Sequence, residues 1–418
     1  MMRDSFILNF LSAINVAVGF AFYLVIGRLW GLSKELDLFF SFYVLLNYTG
    51  YIAQIFWEGY APFYAELKTK KGKREADKLF SVLLNRSSIV AVLLIMLAIV
   101  LYPVVNKLYF GGSLKSLVFY FVFLPFLVLQ NFFFLIKSYL QLNFSFKASY
   151  ILDISANLFS LITVLSLKGI LGILALVIGV NLGFFIAGTM GILYAIDKLN
   201  FKYCFSFKHE TIKEIFKGSF WLKAGGFAYG AKDIIINHLL LGLGEGVVSA
   251  YSYASKFISA VHLVVNAPIV MKFANEVMYE AEKLRRLKEV LKRVGIFYLN
   301  VIPLFCLVFM LVGFSLKVVL PFLFSKKNVP LLMIEKVYVI LGGYILFVLL
   351  SYPVGYIMHS KRKFFTMFFA NFLTVFSFML SLLVFNLYKN IFLIAFANFL
   401  FAFYLFLYYI LLSAKITE

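Results

Sequence analysis

Within otherwise apolar sequence, residues 219–272 carry Lys223, Lys232, Asp233, His238, Lys256 and His262. An ionisable group at the centre of a membrane helix costs about 2.5–3.5 kcal/mol on insertion scales, so it persists where it binds, gates or moves charge. Lys232 and Lys256 stand twelve residues before and after Gly244, in the short turn Gly242 to Gly246. At a rise of 1.5 Å per residue both ammonium groups lie about 18 Å from that turn, at one depth on adjacent helices. Two cations so placed repel unless an anion lies between them or one sheds its proton, and Asp233 neutralises only one. The pattern points to a cationic midplane site for an anionic headgroup, with Lys256, Lys232, Asp233 and Lys223 as binding residues. The plainer alternative is an internal lysine–aspartate pair holding the helices together, or lysines snorkelling to water, most easily Lys223 near its helix end. His238 and His262 read as hydrogen-bonded packing residues before a proton relay. Gly225, Gly226 and Gly230 read as close-packing positions.

Arg28 and Asp37 flank a short turn containing Gly31, at the end of the first apolar run and the start of the second. They suit a gate latch on the external side, with Glu58 at the inner end of the second run as a further gate residue. The alternative is a set of interfacial charges in water, worth little by themselves. The pair Glu335-Lys336 has the same two readings.

Holding these groups at depth requires membrane helices. The chain has 418 residues, 63% hydrophobic and 14% charged, with a mean hydropathy of +0.96. Soluble domains are roughly 45–50% apolar and 25% charged, so an ordinary water-soluble globule is excluded. A span needs roughly 20 apolar residues, which predicts an all-α polytopic membrane protein of about 12 helices. They are placed near 6–27, 37–57, 86–106, 114–136, 148–167, 170–195, 219–242, 246–272, 295–315, 331–352, 364–386 and 390–412. The first run lacks a small-residue cleavage site and is expected to remain as a helix. Continuous apolar runs without alternation exclude a β-barrel.

The charge is +20, from 39 Lys+Arg against 19 Asp+Glu. In a membrane protein this reflects basic cytoplasmic loops, not a nucleic-acid partner. Lys68 to Lys78, Lys198 to Lys217, Lys283 to Arg293 and Lys361 to Lys363 all fall on one side, which predicts both termini in the cytoplasm. Such loops also suit anionic phospholipids and do not discriminate among functions. Two cysteines are too few for a disulfide framework or zinc site, so no metal or cofactor is expected. No phosphate-binding Gly-x-x-x-x-Gly-Lys motif and no nucleophile with its base is present, so the chain is not expected to be an enzyme.

The polar, basic residues 197–218 read as a linker between an N-terminal lobe, 1–196, and a C-terminal lobe, 219–418. Pro62-Phe-Tyr-Ala-Glu66 and its basic run recur in the second half as Lys272-Phe-Ala-Asn-Glu276 with a similar run. Six helices per half gives parallel repeats about an axis along the membrane normal, which suits alternating access around a central cavity.

Gly19-Phe20-Ala21, Arg28-Leu-Trp-Gly31, Asp37-Leu-Phe-Phe40, Ile55-Phe-Trp-Glu58-Gly59 and Ala65-Glu66-Leu-Lys68 resemble the opening of the bacterial lipid II flippase family. Gly246-Val-Val-Ser249 and Tyr253-Ala-Ser-Lys256-Phe257 resemble its eighth-helix segment. The family belongs to the multidrug/oligosaccharidyl-lipid/polysaccharide exporter superfamily, which includes O-antigen and exopolysaccharide flippases. The resemblance implies that Lys256 stands where the family has a functional arginine, and that Arg28 and Asp37 match positions in its first two helices. Phe22-Tyr23 and Ala53-Gln54 stand where the family has Arg-Asp and an arginine pair. Lysine lacks the bidentate fork with which arginine grips pyrophosphate, and a twelve-helix chain matches the polysaccharide branch.

The resulting expectation is a flippase for an undecaprenyl-pyrophosphate-linked glycan in the bacterial cytoplasmic membrane, serving surface-polysaccharide or cell-wall assembly. The alternative cargo is lipid II itself. An ion-coupled exporter of cationic drugs would need an acidic cavity, and a scaffold recruiting envelope-biosynthesis enzymes would act through the basic loops.

Overall fold

In the computed structural model the described residues are 2–55, 57, 60–109, 114–265, 269–270, 273, 287–324, 331–360 and 363–413. They form helices and turns, with no strand among them. The protein is an all-α polytopic membrane protein. Its helices are α1 (Met2–Trp30), α2 (Lys34–Gln54), α3 (Ala61–Lys70), α4 (Lys73–Tyr109), α5 (Leu114–Phe123), α6 (Phe126–Leu142) and α7 (Phe146–Leu171). They continue as α8 (Leu174–Leu199), α9 (Ile212–Leu241), α10 (Val247–Val265), α11 (Leu287–Phe324), α12 (Leu331–Ser360), α13 (Phe364–Val384) and α14 (Ile391–Ser413). Among the described residues 8 helical stretches are long and apolar enough to cross a bilayer, in α4, α5–α6, α7, α8 and α11 to α14. The helices α2, α9 and α10, which hold the charged residues singled out above, are not among them.

Two elements depart from the sequence expectation. The run from 73 to 85, expected as a basic loop, is the start of α4, whose 37 residues span about 55 Å. The stretch 114–142, expected as one span near 114–136, is two helices. They break at Leu124-Pro125, where proline has no amide hydrogen to continue the ladder. Lys272 and residues 283–286, the start of the second basic run, lie outside the described residues, and the rest of that run opens α11.

The chain divides into two compact units, residues 1–25 with 41–223 and residues 26–40 with 224–418. In the first unit, Gly179, Gly183, Ala187 and Gly191 recur every fourth residue along one face of α8. A Cβ at Gly179 would stand 2.8 Å from the Ser160 carbonyl oxygen of α7, and one at Gly183 would overlap the Ala156 carbonyl oxygen. Small residues let the two backbones meet, the usual route to helix association in lipid, where apolar burial drives little. Tyr60, Tyr64, Phe80, Tyr139 and Phe201 lie in one buried cluster with Ala156 and Ala187 of this seam. Its polar centre is Asp77, 3% exposed. Asp77 accepts hydrogen bonds from Tyr139 Oη at 2.8 Å and Tyr64 Oη at 3.2 Å, and pairs with Lys73 at 2.9 Å.

Residues 200–211, within the expected linker, are fastened to α4. Asn200 takes a left-handed φ of 51° and ends α8, and Phe201 turns into the aromatic cluster. Cys204 N donates to Ser81 Oγ at 3.1 Å, Asn85 Nδ2 donates to Ser206 O at 2.9 Å, and Arg86 Nε donates to Phe207 O at 2.6 Å. Ser81 and Asn85 are one helical turn apart, so one edge of α4 satisfies the backbone of an extended segment that has no ladder of its own.

In the second unit, α12 and α14 pack closely. A Cβ at Gly343 of α12 would stand 2.6 Å from the Phe399 ring of α14. Ser377 and Ser381 of α13, one turn apart, meet the hydroxyls of Tyr408 and Tyr404 of α14 at 2.6 and 2.7 Å.

Candidate functional site

The second unit holds two clusters of polar residues, each built by helix ends or helix faces that bury charge. The first joins residues 26–40 to the start of α10. Ser33 Oγ accepts the amide of Leu36 at 3.3 Å and caps α2. This places Asp37 in the first turn of α2. Its carboxylate is 3% exposed. Oδ2 accepts the amide of Gly246 at 2.6 Å, and Oδ1 accepts the amide and hydroxyl of Ser249 at 2.7 and 2.5 Å.

The physical reason is a helix N-terminus that cannot cap itself. Gly246 precedes α10, has no side chain, and adopts a φ of 81° that favours glycine. A Cβ there would also press on Leu32 Cβ at 3.0 Å. The orphan amides of α10 therefore take their acceptor from another helix, and a carboxylate there also meets the positive end of the helix dipole. Lys34 N adds a hydrogen bond to Glu245 Oε1 at 3.2 Å across the same turn. The described partners of Asp37, expected from sequence to pair with Arg28 as a latch, are at the start of α10. Arg28 is exposed in the last turn of α1. Glu58, the third expected gate residue, lies outside the described residues.

The second cluster surrounds Lys232 of α9, which is 2% exposed. Its ammonium donates to Asn398 Oδ1 at 3.1 Å and Tyr344 Oη at 3.3 Å, and pairs with Asp233 at 2.8 Å. The rings of Tyr344, Phe401 and Tyr229 lie 4.6, 5.1 and 5.3 Å from it. Asn398 is fixed in turn by donating to Tyr251 Oη at 2.9 Å, and Tyr229 meets Tyr344 at 2.8 Å. A buried ammonium is tolerated when hydrogen bonds, an anion and aromatic faces replace its water. The Asp233 side chain is 53% exposed, so the pair has a buried cation and an accessible anion.

The remaining site residues are distributed as follows. Lys256 is partly buried in α10, between the buried Ala254 and Phe257. Lys223 belongs to the first unit, where it is 6% exposed, donates to Gln54 Oε1 at 2.9 Å and lies 4.9 Å from the Tyr51 ring. His262 is hydrogen-bonded to Tyr352 Oη at 2.8 Å. The structure thus brings Lys232 and Asp233 together in the second unit and joins Lys223 to Gln54 in the first.

Sequence reasoning missed a further pair, Lys137 of α6 and Asp153 of α7. Lys137 Nζ lies 2.7 Å from both carboxylate oxygens, with side chains only 22% and 15% exposed. Asp153 falls inside an expected span and Lys137 one residue beyond another, so the rule that singled out Lys232 applied here too. Among the described residues no group of three or more His, Cys, Asp and Glu suits a metal ion.

No protein-family model matches the chain, and no characterised protein matches it by sequence. Solved structures do match. The lipid II flippase MurJ in an inward closed conformation superposes with a TM-score of 0.77 at 17% identity, over 98% of this chain and 87% of that one. An inward-facing multidrug resistance MATE family transporter of the MOP superfamily gives 0.67 at 14% identity, over 96% and 98%. A MOP superfamily transporter from Pyrococcus furiosus, described as having a binding pocket of reverse polarity, gives 0.63 at 14%, over 98% and 96%. The chain has the fold of the MOP superfamily transporters.

Proposed function

We propose that this chain is a flippase that moves a polyprenyl-pyrophosphate-linked saccharide across the bacterial cytoplasmic membrane by alternating access, with both termini in the cytoplasm. The carrying observation is the excess of cations in the apolar stretches 219–241 and 247–265, which hold Lys223, Lys232 and Lys256 against the one carboxylate Asp233. A site with that balance suits a pyrophosphate and opposes a cationic drug. Of the two cargoes open from sequence, lipid II gains support from the TM-score of 0.77 to a lipid II flippase, against 0.67 to a drug transporter. Undecaprenyl-linked glycans of other surface polysaccharides share the same pyrophosphate and remain the second reading.

The geometry around Lys232 suggests how the headgroup is held. Its ammonium is already saturated, so an incoming phosphate gains it by displacing Asp233, whose carboxylate is the accessible member of the pair. Lys256, on α10 of the same unit, supplies a further cationic contact. The Asp37 clamp on α10 is the proposed external gate. It fastens residues 26–40 to the second unit while the rest of α1 and α2 belongs to the first. Release of three hydrogen bonds would free that segment.

Complementation of a bacterium depleted of its own lipid II flippase tests the reading. Rescue by this chain, lost with Lys256→Gln at equal membrane abundance, is the expected result. Failure to rescue, with rescue of a strain lacking a polysaccharide flippase, would move the cargo to the second reading. Failure in both would remove the function.

A further inference from the structure

At one end of α4 the first unit holds an open cavity of about 980 Å³, enclosed by the start of α4, residues 208–210 and the first turns of α9. Two of its cations are paired, Lys71 with Glu210 and Lys78 with Glu75, the latter at 3.9 Å. Three more cations, Arg86, Lys208 and Lys213, line it without a matching carboxylate among its lining residues. Arg86 uses Nε on the Phe207 carbonyl, which fixes the guanidinium and leaves its other donors for a ligand. Burial pushes the His209 imidazole below its usual range, and its Nδ1 meets the Thr211 hydroxyl at 3.0 Å. The positive charge of the cavity therefore comes from the arginine and lysines.

Two observations place this cavity at a membrane surface. The exposed apolar face of α4 begins at Ile89 and runs through Leu93, Met96 and Val100 to Val104. Arg86 is three residues before Ile89, so it sits about 4.5 Å outside that apolar band. Beside it, the segment fastened to α4 turns out Tyr203, Phe205 and Phe207, which are 52%, 75% and 36% exposed. Aromatic side chains next to lysines are the usual occupants of the headgroup layer.

We propose that this cavity binds the phosphodiester headgroup of an anionic phospholipid, with Arg86, Lys208 and Lys213 as its cationic contacts and Tyr203, Phe205 and Phe207 anchoring its rim among neighbouring lipids. The site lies wholly in the first unit and is separate from the cargo residues of α9 and α10. It rests on the membrane orientation proposed above only in assigning the lipid to the cytoplasmic leaflet. A bound lipid would tie α4, the segment 200–211 and the start of α9 into one piece.

The test is native mass spectrometry of the full-length protein released from vesicles of phosphatidylcholine alone or mixed with phosphatidylglycerol. The wild type is expected to retain phosphatidylglycerol selectively, and Lys208→Gln/Lys213→Gln to weaken retention about tenfold or more, since each lysine near a headgroup contributes about 1 kcal/mol. The control Lys198→Gln/Lys202→Gln removes two exposed lysines that do not line the cavity, and it should leave retention unchanged. Equal loss in both double variants would mean diffuse surface attraction and would overturn the site. So would retention indifferent to Lys208 and Lys213. Binding of inorganic phosphate or pyrophosphate to the lipid-free protein as tightly as the phospholipid would assign the cavity to a soluble phosphate and overturn the lipid. None of these readouts involves cargo transport, so their failure leaves the flippase reading standing.

Discussion

Asp37 shows how one side chain can hold two parts of a chain together. Its carboxylate supplies the acceptor that Gly246 cannot, and receives three hydrogen bonds at 2.5 to 2.7 Å. Loss of a capping acceptor costs about 0.5–2 kcal/mol and hydrogen bonds to a charged group about 1.5–3. Asp37→Ala is therefore expected to lower stability by about 2 kcal/mol and to speed hydrogen exchange at the amides of Gly246 and Ser249. Unchanged exchange at those two amides would show that the clamp does not hold in solution. Asp37 stood out in the sequence by its place at a helix start near a turn, but its partner at the start of α10 did not. The acceptor-poor glycine it serves lies 209 residues away in sequence. Lys232 was legible as an expensive buried cation. Its aromatic enclosure was not, because Tyr344, Asn398 and Phe401 come from helices more than a hundred residues downstream. Lys137 and Asp153 followed the same rule and were passed over for the larger cluster, although their charges cancel within one lobe.

At the scale of elements, apolar run length placed α7, α8 and α11 to α14, because a lipid-facing backbone has to satisfy its own hydrogen bonds. Pairing between helices depends on where small residues fall. Gly183 meets the backbone of α7, so Gly183→Ala is expected to separate α7 from α8 and cost about 2 kcal/mol or more, by the usual price of overpacking. Gly169→Ala in α7, with nothing within 4 Å of the new methyl, should be neutral or slightly stabilising. Thermal melting of the two variants in detergent compares them directly, and equal melting points would contradict the close α7–α8 approach. The spacing of Gly179, Gly183 and Gly191 was visible in the sequence, and so was Pro125 within a long apolar run. The course of residues 200–211 was not. A polar, basic segment reads as a loose linker, and only the side chains of Ser81, Asn85 and Arg86 reveal that α4 supplies its hydrogen bonds.

For the whole molecule, composition alone excluded a soluble protein, and the helix pattern gave the architecture that the solved transporters share. Sequence identity of 17% and below leaves cargo to be decided by chemistry. Residues 26–40 belong to the second compact unit although they stand in the N-terminal half of the sequence. Hydropathy carries no information on which unit a turn packs against. α1 and α2 each contribute to both units. The proposed function rests on the cationic balance of α9 and α10, which would favour an anionic headgroup over a cationic drug. Native mass spectrometry of the purified protein with lipid II, an undecaprenyl-pyrophosphate oligosaccharide and a cationic drug, each repeated with Lys256→Gln, tests it most directly. The account predicts selective binding of a polyprenyl pyrophosphate, weakened about tenfold or more by Lys256→Gln through loss of a charge-assisted contact. Binding of the drug alone, or pyrophosphate binding indifferent to Lys256, would contradict it.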